Sequence, residues 1–375
     1  MIPDSFKGNI SSSEICSIMR KSIYAHYPDA EVVSIPVADG GEGSVDCFLA
    51  ALGGEKVRLF AAGPLFKDVE AFYGILPDGT AIVEMAACAG LPLVEGRLSP
   101  GETTTYGMGQ VIAHALKSGC KKAIVGLGGS ATNDGGAGCA AALGARFFDG
   151  SNNPFVPTGL TLHKIERVDL SGLLPRLRET KLVTMCDIDN PLCGANGAAH
   201  VFAPQKGADR DMVELLDAGL RHMAHVVRRD LGFDILDMPG AGAAGGMGGG
   251  MVAFLGSSLQ MGIETVLDAV GFDRLLQGAD LVISGEGKID SQSLGGKVVI
   301  GVSRRSKLAN VPVVAVVGDI GDNIGDVYEQ GVAGVFSINR VAKPFSEQRK
   351  RSKNDLALTV DNLMRFIKCM EGGCG

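Results

Sequence analysis

The chain has 375 residues, 46% of them hydrophobic, which exceeds the usual reach of one core and predicts two domains. Charged residues make up 21% and the net charge is −7, a balance that argues against nucleic acid or an anionic membrane as partner. No apolar run reaches membrane-spanning length, and 54 glycines, gathered in short runs between apolar segments, are the compositional outlier.

The first loop, Pro3 to Gly8, carries Asp4, Ser5 and Lys7. It stands before a helical stretch opened by the capping pattern Ser11-x-x-Glu14 and striped by Ile15, Ile18, Met19 and Ile23. A lysine beside free helix N–H groups suits a phosphate or carboxylate, though an ordinary cap with a surface lysine leaves the same trace. A helix of a parallel sheet follows a strand, and only Met1 and Ile2 precede this loop. The usual first β-strand is therefore expected to be missing. Glu31–Val37 reads as a strand, and Asp39, Gly40, Gly41, Glu42 and Gly43 follow it as a loop into an apolar helical run.

The texture then changes. Val57–Ala62, Val69–Leu76 and Thr80–Ala87 are separated by short turns, as in antiparallel hairpins. Lys122–Leu127 is a buried-type strand that runs into Gly126 to Gly138, thirteen residues with one large apolar side chain. Asp134 to Gly138 repeats the pattern of the 39–43 loop. Successive glycine N–H groups at a helix start form an anion-binding concavity, and the length favours ligand contact over a plain turn. Leu182–Cys186 is the next strand, and Asp187 and Asp189 at its end share one side of an extended chain. Such a pair holds Mg²⁺, or one member accepts a hydroxyl proton; a pair of turn aspartates is the competing reading. Pro204 to Gly207 offers a further cation, Lys206. The run Gly240 to Gly250 reads as close-packed loop and helix start without chemistry.

Asp280–Ser284 and Val313–Val317 complete the strands, so the alternation reads as α/β. Each strand ends in a Gly- or Asp-rich loop, where open parallel sheets hold their ligands. The loop after 284 holds Glu286, Lys288 and Asp290, with Lys297 beyond, a mix suited to a metal-bridged polyphosphate. Nine scattered cysteines, with no CxxC pair, predict buried thiols and a cytoplasmic protein.

There is no Walker-type P-loop, protein-kinase signature, nucleophile elbow or HExxH motif. One pattern argues for other chemistry. Gly126, Gly128 and Ala131 match a loose dinucleotide fingerprint, with Asp149 about 20 residues on. An NAD-dependent dehydrogenase is therefore an alternative, although it leaves the other loops without a role.

Taken in order, PDSFKG (3–8), PVADGGEG (36–43), TTYGMGQ (104–110), GGSATNDGGAG (128–138), CDIDNPLCG (186–194), FAPQKGA (202–208), GAGAAGG (240–246) and SGEGKIDSQS (284–293) resemble the bacterial, type-1 glycerate kinase family across nearly the whole chain. The resemblance implies transfer of the ATP γ-phosphoryl to glycerate, usually giving 2-phosphoglycerate. It also implies a flavodoxin-like parallel-sheet domain from both chain ends, expected at 1–64 and 265–375, with a mixed α/β domain, 65–264, inserted. The roles expected are as follows. Asp187, Asp189 and Lys7 act in catalysis. Asp4, Ser5, Asp39, Gly40, Gly41 and Glu42 bind substrate. Gly128, Gly129, Ser130, Thr132, Asn133 and Asp134, with Lys288 and Lys297, bind nucleotide. Glu286 and Asp290 hold Mg²⁺. Glycerate and ATP are the expected partners, with a homodimer left open, and a non-catalytic glycerate-binding regulator is the remaining alternative.

Overall fold

A computed structural model describes residues 1–6, 8–38, 40–94, 96–290, 293–294 and 297–372. The chain forms two compact units, Met1–Ala38, Ala50–Leu52 and Ile263–Gly375 in one, Asp39–Leu49 and Gly53–Gly262 in the other.

In the first unit four parallel strands lie in the order Ile2–Pro3, Val282–Gly285, Val313–Val317, Val332–Ser337. Strand Val313–Val317 is buried at every position because both faces are covered. Val314 and Val316 pack with Ile15, Met19 and Ile23 of helix Ser12–Tyr24 and with Leu356 and Val360 of helix Phe345–Gly372. Ala315 and Val317 face the other way, onto Val299 and Ile300 of helix Val298–Leu308. Ser11 caps Ser12–Tyr24, its hydroxyl accepting from Glu14 N–H at 3.3 Å.

Of the first strand, two residues are present. Ile2–Pro3 pairs with Ser284 and Gly285, and Ile2 is fully buried. The expected strand Glu31–Val37 is corrected. It makes three bonds to the first three residues, Met1 N–H to Val33 O at 2.7 Å, Ile35 N–H to Met1 O at 2.9 Å and Val37 N–H to Pro3 O at 3.3 Å, but no full ladder, because Pro3 has no N–H to donate back.

The second unit holds a six-stranded mixed sheet in the order Ser258–Gln260, Lys181–Met185, Lys122–Gly126, Ala81–Glu84, Asp68–Ile75, Glu55–Ala62. The first four strands are parallel and the last two antiparallel. Strand Glu55–Ala62 pairs along all its length with Asp68–Ile75, so it belongs to this unit. That moves the first boundary from the expected residue 64 back to Ala38, and the chain re-enters the first unit at Ile263. The run from Thr80 stops as a strand at Glu84 and turns helical over Ala86–Ala89. Val83, Val125 and Leu182 pack in one core with Met108, Ile112 and Leu116 of helix Tyr106–Lys117. Seven described cysteines are free thiols. Among the described residues no helix is long and apolar enough to cross a membrane.

Candidate active site

In the mixed-sheet unit the carboxyl ends of parallel strands bring three of the expected loops together. Strands Lys122–Gly126 and Lys181–Met185 are neighbours, so the loop after Gly126 and the Asp187–Asp189 turn leave the same sheet edge. The 40–43 loop lies against both. Gly128 N–H donates to Gly40 O at 2.9 Å, and a Cβ on Gly40 would stand 3.2 Å from Met185 Cβ. Glu84, almost fully buried at the end of the next strand, accepts from Gly43 N–H at 3.4 Å and Val45 N–H at 2.9 Å. It thereby fills the missing cap of helix Ser44–Leu52, whose N-terminal neighbour Gly43 has no side chain to offer. Burial pushes the Glu84 pKa up, and these two hydrogen bonds work against that rise.

Only part of the long glycine loop faces outward. Gly129 is exposed, Gly128 and Ser130 are half-exposed, and every residue from Ala131 to Ala140 is buried. Asp134, expected to bind nucleotide, is instead an internal brace. Its carboxylate accepts from Thr105 N–H at 2.7 Å, Thr105 Oγ1 at 2.9 Å, Gly136 N–H at 3.1 Å and Gly138 N–H at 3.3 Å. Burial raises its pKa against the pull of these four bonds. Thr132 and Asn133 are likewise fully buried, and neither the Thr132 hydroxyl nor the Asn133 amide has a hydrogen-bond partner. The expectation that Asp134 touches nucleotide is corrected, because N–H and hydroxyl groups of Thr105, Gly136 and Gly138 take up its carboxylate. Lys206, 2% exposed, reaches this interior and donates to Ser130 Oγ at 2.8 Å and Thr132 O at 2.7 Å. Burial lowers its pKa to about 7, with Asp134 pulling the other way.

Asp187 and Asp189 are both exposed beyond the end of their strand. The Asp187 carboxylate accepts from Gly262 N–H at 2.6 Å, which ties the turn to the start of helix Gly262–Ala269. Glu42 is exposed and Gly40 and Gly41 are buried.

The parallel-sheet unit carries a second cluster, again at a carboxyl edge. Asp4 follows Ile2–Pro3 and Glu286 follows Val282–Gly285, and Asp4 N–H donates to Gly285 O at 2.8 Å. Asp4 also accepts from Ser5 N–H at 2.6 Å. Glu286 is 4% exposed and its Oε1 has no hydrogen-bond partner. Burial raises its pKa to about 7; Ser293 and Lys297 favour the charged form, while Asp4 and Asp290 oppose it. Lys288 lies 3.8 Å from the Asp290 carboxylate, and Lys297 stands at the N-cap of helix Val298–Leu308. Lys7 and Asp39 lie outside the described residues.

The profile of the glycerate kinase family matches residues 1–368. The chain belongs to the glycerate kinase family. It is 45% identical over 367 residues to the glycerate kinase of Bacillus cereus, covering 97% of this chain and 96% of that protein. It is 46% identical over 338 residues to the glycerate 2-kinase of Escherichia coli, 90% and 89% of the two chains. The crystal structure of a putative glycerate kinase 2 from Salmonella typhimurium superposes with a TM-score of 0.88 at 41% identity, covering 99% of this chain and 98% of that one.

For a glycerate kinase family member the dinucleotide fingerprint needs another explanation, and packing provides it. A Cβ on Gly126 would lie 2.3 Å from Gly40 O, and one on Gly128 would lie 2.5 Å from Gly41 Cα. The glycines admit the neighbouring chain, and the helix opens only at Ala137. Asp149 is half-buried and bonded in its own turn to the N–H groups of Ser151 and Asn153. The context an NAD site requires is absent from this loop.

Among the described residues no group of three or more His, Cys, Asp or Glu side chains converges on a metal position. The buried, unpaired Oε1 of Glu286 near Asp290 nevertheless fits Mg²⁺, which is typically held by one or two carboxylates together with substrate phosphates. Sequence reasoning noted Lys206 only as a spare cation and missed Glu84. Neither residue sits in a glycine loop, and both act on chain tens of residues away.

Proposed function

We propose that the protein transfers the γ-phosphoryl group of ATP to a hydroxyl of glycerate, giving 2-phosphoglycerate, in the cytoplasm. Family membership over residues 1–368 carries the reading, and likeness to a protein named glycerate 2-kinase favours the 2-position. Bound MgATP supplies the phosphoryl group and offsets its charge. The chain's own residues do the positioning. The N–H groups of Gly129 and Ser130 meet phosphate oxygens, and the Gly40–Glu42 loop beside them orients an anionic substrate. Asp189, exposed at the strand end, takes the substrate hydroxyl proton, while Asp187, already accepting from Gly262, fixes the turn. In the parallel-sheet unit Glu286 and Asp290 would hold Mg²⁺, and Lys288 and Lys297 balance phosphate charge.

Release of ADP from ATP and Mg²⁺ on addition of D-glycerate tests the proposal. Glycerate-dependent release is the expected result. Tight glycerate binding without release would favour the regulator, and glycerate-independent silence in a folded protein would sink the substrate assignment.

A further inference from the structure

Two side chains from outside the glycine loop donate into its buried part, Thr103 to Ala131 O at 3.0 Å and Lys206 on either side of it. Lys206 ends the short turn Pro204–Lys206 and is followed by Gly207, where φ is +98° and an added Cβ would lie 2.5 Å from Leu98 Cβ. That geometry fixes where the lysine starts. Its ammonium then ends on Ser130 Oγ and Thr132 O, either side of Ala131.

The side chains of residues 132 and 133 do not hold the loop themselves. The Thr132 hydroxyl and the Asn133 amide are fully buried and unpaired. On the opposite side of the loop lies backbone: Gly245, at φ +69°, would place a Cβ 2.1 Å from Thr132 O and 2.6 Å from Asn133 Cα. Gly245 belongs to three successive left-handed residues, Ala244, Gly245 and Gly246, an unusual run for which alanine is strained. The loop is thus clamped between a left-handed turn and an ammonium.

A buried ammonium is expensive unless a carboxylate is matched to it, and the carboxylate facing it, Asp134, already accepts four bonds from elsewhere. Losing the donors would leave the buried Thr132 O without them, so the bonds also carry some stability. What the ammonium supplies is directional: two fixed hydrogen bonds to the segment whose outward face is Gly128 to Ser130.

We propose that Lys206 is a positioning residue of the nucleotide loop, holding Gly128 to Ser130 in the shape that meets a phosphate group. This rests on the reading that the loop binds nucleotide phosphate. The test pairs two variants, Lys206→Met, which keeps the bulk and loses the donors, and Lys206→Gln, which keeps one amide donor. Amide hydrogen exchange is measured on the ligand-free proteins, with steady-state kinetics beside it. In Lys206→Met, exchange should quicken across 128–134 and stay unchanged elsewhere. KM for ATP should rise about tenfold, one lost hydrogen bond, with kcat moving less. Lys206→Gln should recover part of both. Unchanged exchange at 128–134, or a lower melting temperature with KM unchanged, would overturn the proposal. So would failure of both variants to fold, since Lys206 would then be holding the unit rather than the loop. The exchange measurement needs no substrate, so a wild-type protein inert toward glycerate would sink the function and leave this test standing.

Discussion

Replacing Glu286 with Gln should make the protein more stable, and increasingly so as the pH rises. Burial lifts the Glu286 pKa from an ordinary 4.5 to about 7. Between those values the folded protein keeps a proton that the unfolded chain has released. The stability attached to this group is therefore complete below pH 4.5 and lost as the pH climbs through 7. At 1.36 kcal/mol per pH unit, the loss amounts to about 3 kcal/mol by pH 8, as an order of magnitude. Glu286→Gln cannot ionise, and its amide can still meet Ser293. Urea unfolding at pH 5 and pH 8 reads the effect: the advantage of the variant should grow by about 2 kcal/mol between the two. Turnover should fall at the same time, because a neutral amide no longer holds a cation. An advantage that is the same at both pH values would refute the reasoning, since it would mean that Glu286 titrates alike in the folded and unfolded protein.

Asp189→Asn should lower kcat by about 10²- to 10⁴-fold, the usual contribution of a positioned base, with an unchanged melting temperature because the side chain is exposed; near-normal turnover would remove it from the mechanism. Asp134→Ala should destabilise by about 3 kcal/mol or more in urea unfolding, since it leaves buried donors of Thr105, Gly136 and Gly138 unpaired. Gly128→Ala should lower stability by about 1–3 kcal/mol in the same assay, because its Cβ meets backbone at Gly41 that cannot move aside without carrying the 40–43 loop. Equilibrium dialysis with NAD should give no binding, since the room the fingerprint glycines leave is filled by that loop.

The strands buried on both faces were the most legible part of the chain. Val313–Val317 needs no partner to be recognised, because a continuous β-branched run is what double coverage demands. Segment 31–37 has the same look and fails as a strand, since pairing depends on a neighbour remote in sequence. The domain boundary was misplaced for a related reason: Glu55–Ala62 announces a strand but not whose sheet it joins. In the candidate site, glycine runs marked loops that the fold gathers at the strand ends, while residue type could not tell inward from outward. Asp134 reads like a ligand contact and is a brace, because a carboxylate serves backbone N–H groups as readily as a bound cation. Glu84 and Lys206 left no local signal at all. Their partners are 41 and 76 residues away, and only the fold brings them together.

Phosphorus NMR of a reaction containing the protein, MgATP and D-glycerate tests the central claim most directly, because it sees both the transfer and the oxygen that receives it. The account predicts a new phosphomonoester resonance split into a doublet by the single proton on carbon 2. A triplet, from the two protons on carbon 3, would contradict the 2-position, and no new phosphomonoester with folded protein would contradict glycerate phosphorylation itself.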